Sequence, residues 1–418
     1  MPEKRNSQQD MDRNSFQGEK VVAYSDNMFD STDDVMLCAA YLAGQEQRPQ
    51  TEIAQQLKIS QAAVSRLLHR ARQEQVLVEK VNFASDKVDP DTLVRIRRKL
   101  QSSLAGDLQA LSARAGTTAP VVRVFPSGSK SDKDLERRLA TYSERAAPYL
   151  KAQIAEANSC GVTWGNTLIH VVDALQNIAG AAPWRTDGKL ISFLPLSGEP
   201  FGKMPAGQSS STMVERLGHF ANGKSHKSLS IGNVPAFIPG EDEGFSRADL
   251  RGVRKLIQKV EAYGTIFGAS ETQPGVVDSV EMILTSVGPA NKPWGFGDSD
   301  RLLGGVSAGQ LERLLAGDVG GVGIPRVGLK SSDDQTIRDI NDRWTGVKRQ
   351  HLEKCVRLAA KPSSAGKRSP GVVVVAVGAY KAKIVLTAIK LGLINELVID
   401  DDLEEALTNE VRVELSKQ

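Results

Sequence analysis

The stretch "GVVVVAVGAYKAKIVLTAIKLGLINELVID", residues 371–400, decides the fold. It begins with an unbroken apolar run, Gly371–Val377. A strand with one wet face alternates polar and apolar side chains, whereas an unbroken Val run suits a strand covered on both faces. Gly378 then supplies a tight turn, Lys381 stands at the start of the helical stretch "KAKIVLTAIKLGL", and "ELVID" is a second short strand. Parallel neighbours need a crossover of a dozen or more residues, and a helix between two buried strands provides it.

The same texture extends upstream. "VVRVF" (121–125), "SCGVTWGNTLIHVVDALQNI" (159–178), "KLISFLPLSG" (189–198), "AFIPG" (236–240) and "SVEMILTSVGP" (279–289) alternate strand-like and helical runs. Residues 116–418 are therefore expected to form a Rossmann-like, mostly parallel α/β domain. A Gly/Ser-rich stretch around 199–230 and the polar basic "KPSSAGKRSPG" at 361–371 read as insertions.

The N-terminal part differs. Residues 1–30 are polar and are expected to be a disordered tail. Residues 31–85 read as a compact helical unit. "STDDVMLCAAYLAGQ" (31–45) is a first helix, "TEIAQQLK" (51–58) a second with Thr51 as its cap, and "QAAVSRLLHRARQEQ" (61–75) a third capped by Ser60. "VLVEKV" (76–81) alternates like a strand, which makes the unit winged-helix-like.

Ala54 falls where two crossing helices come close, while Ile53, Leu57, Ile59, Val64 and Leu67 are spaced to point inward. This is the helix-turn-helix pattern, whose last helix enters the major groove of DNA. Gln61, Ala62, Ser65, Arg66, His69, Arg70 and Arg72 remain for the outer face. Gln61 suits an adenine edge, Arg66 a guanine edge and Ala62 a thymine methyl; His69, Arg70 and Arg72 suit phosphates. No acid stands between Glu52 and Glu74. Lys58 holds the turn position often given to glycine, where a left-handed conformation costs about 1 kcal/mol. The bland alternative is a small helical bundle with a basic solvated face. Residues 86–115 read as a linker or oligomerisation helix, or else as a helix packed on its own domain.

Several loops that follow strands are candidates for an effector site. Gly165, Asn166 and Thr167 stand at a helix N-terminus, where backbone amides suit an anion. The stretch lacks the GxxxxGK[ST] pattern of a nucleotide-binding loop. Ser197 and Gly198 end one apolar strand and Ser286 and Gly288 another. Lys381 suits a phosphate or acidic ligand. Asp318, in "AGDVGG", is a candidate pocket acid or a turn-capping residue. Each stretch singly is also explained as an ordinary strand–helix turn.

The chain carries neither GxSxG nor HExxH, and His170, on an apolar helical run, reads as a packed core residue. No catalytic set, no cofactor and no enzyme activity are expected. Cys38, Cys160 and Cys355 are dispersed, which excludes a disulfide framework or zinc site as the organising device. The net charge of +3 over 418 residues implies nothing by itself about nucleic acid, so a local patch must carry that case. There is no apolar run long enough to span a membrane and no signal-peptide pattern, so a cytoplasmic protein without membrane attachment is expected.

Taken together, "TEIAQQLKISQAAVSRLLHRARQEQVL", "GVTWGNTL", "PLSG", "GDVGG" and "VAVGAYKAKIVLTAIKLGLINELVIDDDLEEAL" resemble the SorC family of bacterial sugar-responsive transcription regulators. The resemblance spans most of residues 35–408. It implies a DNA-binding head and an effector domain similar in fold to sugar-phosphate isomerases and deaminases, which binds a sugar or phosphorylated sugar without turning it over. It also implies double-stranded operator DNA as partner and a homodimer or homotetramer. By position, Gly165, Asn166 and Thr167 match the family's phosphate-contacting loop, and Lys381 its late ligand-contacting lysine. "GDVGGVGIP" departs from the family's "GDICGRFFD", and residues 199–250 and 329–371 are longer than usual. The alternatives are an isomerase- or deaminase-like enzyme fused to a DNA-binding head, and a ligand-independent DNA binder with a degenerate pocket.

Overall fold

The computed structural model describes residues 32–44, 49–74, 103–128, 134–180, 183–185, 187–199, 208–223, 226, 229–231, 234–238, 246–268, 273–291, 306–327, 329–361 and 369–417. The tail expected at 1–30, the strand expected at 76–81 with its wing, residues 86–102 of the expected linker and residues 362–368 of the basic loop lie outside these. The chain divides into two compact units, residues 1–99 and 100–418.

In the first unit α1 (Thr32–Gly44), α2 (Gln50–Gln56) and α3 (Gln61–Gln73) share one small core. Val35, Met36, Ala39 and Leu42 from α1 meet Ile53 and Leu57 and, from α3, Val64, Leu68 and Ala71. The deep residue of α3 is Leu68 rather than Leu67, which with Ile59 is only half-buried. The reason is the helical period: Val64, Leu68 and Ala71 stack at i, i+4 and i+7. Ser60 caps α3, its Oγ accepting from the Ala63 amide at 3.2 Å. Thr51 is not a cap. Pro49 occupies that position in α2, and its carbonyl accepts from the Glu52 and Ile53 amides. Lys58 has φ +54, the sole non-glycine with positive φ among the described residues, so the turn takes the left-handed form without glycine.

The second unit begins with α4 (Ser103–Ala115) and β1 (Val121–Val124). Then come α5 (Leu135–Glu156), β2 (Ser159–Val162), α6 (Asn166–Asn177), β3 (Ser192–Pro195), α7 (Ser210–Asn222), α8 (Arg247–Gln258) and α9 (Glu261–Phe267). β4 (Met282–Thr285) and β5 (Val287–Pro289) precede α10 (Ala308–Leu314), β6 (Leu315–Val319) and β7 (Val322–Pro325). The unit ends with α11 (Ser331–Arg343), α12 (Arg349–Ala360), β8 (Gly371–Ala376), α13 (Ala382–Lys390), β9 (Glu396–Ile399) and α14 (Asp401–Ser416).

Six strands form one sheet in the order β1-β9-β8-β4-β2-β3, every pair parallel. Both faces are covered, which explains the unbroken Val run. Val372, Val374 and Ala376 enter the core shared with α4, α12, α13 and α14, and Val373, Val375 and Val377 enter the core shared with α5, α6 and α7. Three short antiparallel strands, β5-β6-β7, form a second sheet.

Three sequence expectations change here. "AFIPG" is not a sheet strand: Pro235 and Phe237 make isolated bridges to Glu199 and Trp344. The Ser-rich run near 209 is not only insertion loop. It starts α7, capped by Ser209 accepting from the Thr212 amide at 3.2 Å. Residues 103–115 of the expected linker belong to the second unit, because Leu104, Leu108 and Leu111 are buried in its core with Leu407 and Val411 of α14. Cys160 and Cys355 are buried, and desolvation pushes the Cys160 thiol up to about 12, away from reactive thiolate.

Replacing a fully buried leucine with alanine removes transfer energy and leaves a cavity, at about 2–5 kcal/mol. Leu108→Ala in the full chain is therefore expected to lower the melting temperature of the second unit by calorimetry. An unchanged transition would show α4 to be a mere tether.

Candidate functional site

In the second unit the chain leaves β2 for β3 on one side and β4 for β8 on the other. Adjacent strands whose connections part in this way open a crevice at their carboxyl ends, where α/β folds place ligands. The residues that follow these two strands come together there. The Thr163 and Thr285 hydroxyls lie 2.9 Å apart and are buried. Gly165 faces Ser286 so closely that a Cβ on it would lie 2.6 Å from Ser286 Oγ. α6 starts at Asn166, so its first-turn amides, at Asn166 and Thr167, face the same end without helical acceptors.

Lys381 completes the group. It follows the turn after β8, is only 6% exposed, and its Nζ donates to Thr167 Oγ1 at 3.3 Å. Burial lowers the ammonium to about 8, against the opposing pull of Asp318 and Asp400. Asp318 is itself buried on β6, opposite Gly288 of β5, and its Oδ1 accepts from the Gly321 amide at 3.0 Å. It is therefore both a turn-capping acid and a counter-charge to the lysine.

The β6–β7 turn folds down onto this end of the sheet. Gly320, at φ +59, donates its N–H to the Ser286 carbonyl at 3.0 Å. A side chain there would meet Thr285 Oγ1 at 2.6 Å, and one on Gly321 would overlap the Trp344 indole. "GDVGG" thus places backbone where larger residues have no room.

The other sequence candidates sit differently. Ser197 is fully buried, and its hydroxyl has no hydrogen-bond partner among the described residues, while its carbonyl accepts from Ser210 Oγ at 2.6 Å. Gly198 is enclosed by the Val234 and Pro235 carbonyls and Thr345 Oγ1. Gly198 thus packs against the Thr345 side chain and the Val234–Pro235 backbone. The Asn166 side chain turns away to donate to Glu136 Oε1 at 3.0 Å. His170 is not a core residue: its ring bridges Glu136 Oε2, at 3.0 Å, and the Asn166 carbonyl, at 2.9 Å, on a partly exposed helix face.

Sequence reasoning missed Thr163, Thr285, Trp344 and Asp400. The two threonines lie inside "GVTWGNTL" and "SVEMILTSVGP" and end buried strands, a signal that was present. Asp400 ends the last strand of the same βαβ unit. Trp344 carries no local signal, since only the chain's return brings it over Gly321.

In the first unit, Gln61, Ala62, Ser65, Arg66, His69 and Arg72 are exposed on α3, and Ser60 holds its N-terminus. Thr51 is exposed on α2. Arg70 is engaged within the unit, 2.7 Å from both Asp33 and Glu74, so a phosphate would compete with two carboxylates for it.

Solved structures of similar fold are known. The full-length sorbitol operon regulator SorC from Klebsiella pneumoniae has a similar structure, with a TM-score of 0.57 at 18% identity, covering 91% of this chain and 100% of that one. A DeoR family transcriptional regulator from Listeria monocytogenes aligns at TM-score 0.46 and 20% identity over 73% of this chain and 100% of that one. A probable sor operon regulator from Shigella flexneri aligns at TM-score 0.47 and 16% identity over 72% and 98%. No family model matches the sequence, and no curated protein matches it. The chain therefore has the mixed α/β fold of a full-length SorC-type regulator. Among the described residues no helix is long and apolar enough to cross a membrane.

The depressed pKa of Lys381 has a stability consequence. Below about 8 the buried amine is charged at a desolvation cost, and as pH rises from about 8 toward 10.5 only the unfolded chain holds the proton, so stability rises. Lys381→Met is expected to melt higher than the parent at neutral pH, with the difference shrinking above pH 8. A difference independent of pH would refute the buried charge.

Proposed function

We propose that this protein is a DNA-binding transcription regulator whose operator affinity is set by a sugar or phosphorylated sugar. The observation that carries this reading is the joining, in one chain, of a helix-turn-helix with a buried lysine at an α/β switch point. Residues 31–85 act as the DNA-binding head and the second unit as the sensor. α3 reads the major groove through Gln61, Ala62, Ser65 and Arg66, with His69 and Arg72 at the backbone. In the sensor, the amine of Lys381, the Thr167 hydroxyl and the amides at the start of α6 are donors suited to a phosphate, and the Ser286 hydroxyl and Asp318 suit sugar hydroxyls.

The similarity to a full-length sorbitol operon regulator supports both halves, since it spans 91% of this chain. The protein is read as a non-enzyme that acts in the cytoplasm as a homodimer or homotetramer. The effector prefers one quaternary arrangement, and that arrangement fits or misfits the two heads to operator half-sites. Coupling of this kind changes affinity by about 5–150-fold.

A thermal-shift panel of sugars and sugar phosphates on the full chain tests the sensor. A ligand at 100 times its Kd stabilises the native state by about 2.7 kcal/mol. A hit in the parent that is lost in Lys381→Ala is the expected outcome. Turnover of the bound sugar phosphate would instead favour an enzyme. For the head, Arg66→Ala is expected to weaken specific binding by about 1–3 kcal/mol in a gel-shift titration, and unchanged operator affinity would overturn the assignment.

A further inference from the structure

The strongest unassigned feature is the outer face of α8. Its sequence, RADLRGVRKLIQ, is followed directly by Lys259. Arg251, Lys255 and Lys259 recur every four residues, so they line one side of the helix at intervals of about 6 Å. Arg254 flanks them, and all four side chains are exposed. None of the four pairs with a carboxylate among the described residues.

The nearby acids do not neutralise them. Asp249 is used in the helix cap, accepting from the Ser246 amide at 2.9 Å and the Ser246 hydroxyl at 2.6 Å. Glu261 shares a shallow cleft with Lys255, Gln258 and Lys259, one carboxylate against the row. Like charges at i, i+4 destabilise a helix, so the row costs stability unless a counter-charge is supplied. Burial chiefly, with a smaller contribution from Arg254, holds Lys348 below its ordinary pKa.

The opposite face of α8 is already used. Ile257 is buried, and Leu250 and Val253 pack against the main core. A basic amphipathic helix with a free apolar face would suit a lipid surface, but here Leu250, Val253 and Ile257 face the core, and of the large apolar side chains Leu256 is exposed beside a row of four cations, so charge dominates the outer side. The whole chain carries only +3, so the row is a local accumulation rather than a reflection of composition.

We propose that Arg251, Arg254, Lys255 and Lys259 form a second contact surface for the phosphate backbone of double-stranded DNA, outside the base-reading face of α3. The proposal rests on the reading of the chain as a DNA-binding regulator. Such contacts carry no sequence information; they add affinity and make it salt-dependent.

The test is fluorescence anisotropy of the full chain on a duplex of arbitrary sequence across a salt series. Each phosphate neutralised contributes about 0.9 to the slope of log affinity against log salt. R251Q/R254Q/K255Q/K259Q is expected to flatten the slope by roughly 3.6 while its melting temperature stays that of the parent. Should that variant melt early, K255Q/K259Q is expected to flatten it by roughly 2. An unchanged slope with parental affinity overturns the proposal and leaves the regulator reading standing. It would assign the counter-charge elsewhere, the acidic run Glu241–Glu243 being the nearest in sequence. Loss of affinity for single-stranded RNA with an unchanged duplex slope overturns it in favour of RNA. A parent chain that binds no duplex even at low salt sinks the regulator reading itself.

Discussion

Asp400 is fully buried, and four parts of the second unit converge on it. One carboxylate oxygen accepts from the Gly378 amide at 2.9 Å and the Leu403 amide at 3.1 Å. The other accepts from Ser127 Oγ at 2.9 Å and pairs with Arg138 at 2.7 Å. Isolated in this interior the charge would cost several kcal/mol, and only such complete partnering makes it tolerable. The same bonds fix the turn after β8, the start of α14, the segment after β1 and the first turns of α5. Lys381 stands three residues beyond Gly378, so the position of the candidate ligand lysine depends on this carboxylate.

The sheet explains why the site stands at that end. A strand buried on both faces has no free side-chain surface, so chemistry is confined to the loops beyond it. Val372–Val377 divide their side chains between the two cores. Beyond them come a glycine, a short turn and a lysine whose stem is buried and whose amine reaches Thr167. The second, antiparallel sheet then brings Asp318 and the Gly320–Gly321 turn across the same end. That turn packs with Gly320 against Thr163 and Thr285 and Gly321 against Trp344. Gly320 and Gly321 let the backbone approach Thr285 and Trp344 where a side chain would not fit.

The two units meet the requirement for charge differently. In the first, Arg70 is held by Asp33 and Glu74, which strengthens the link between α1 and α3. In the second, α8 keeps a row of cations without such partners among the described residues. Structural and exposed cations can look alike in sequence, and position relative to neighbouring helices separates them.

Much was legible in the sequence, because it depended on periods of a few residues. The Val run, the Gly–Lys turn and the return strand specified parallel βαβ packing; the spacing of Ile53, Leu57 and Val64, with the Ser60 cap, specified the packing of three short helices on one core. Lys58 stood out as the strained turn position, and Gly165, Thr167, Ser286, Asp318 and Lys381 stood out because each belongs to a motif at a strand end or turn. Tertiary structure decided what no local pattern encodes. It packed Gly198 against Thr345 and Ser197 against Ser210, turned the Asn166 side chain and His170 toward Glu136, moved residues 103–115 into the second core, and engaged Arg70 with two acids. Each of these outcomes joins residues far apart in the chain or selects among rotamers. Local propensity specifies the elements and their faces, but which side chains meet is set by the close packing of elements whose order in space is not their order in sequence.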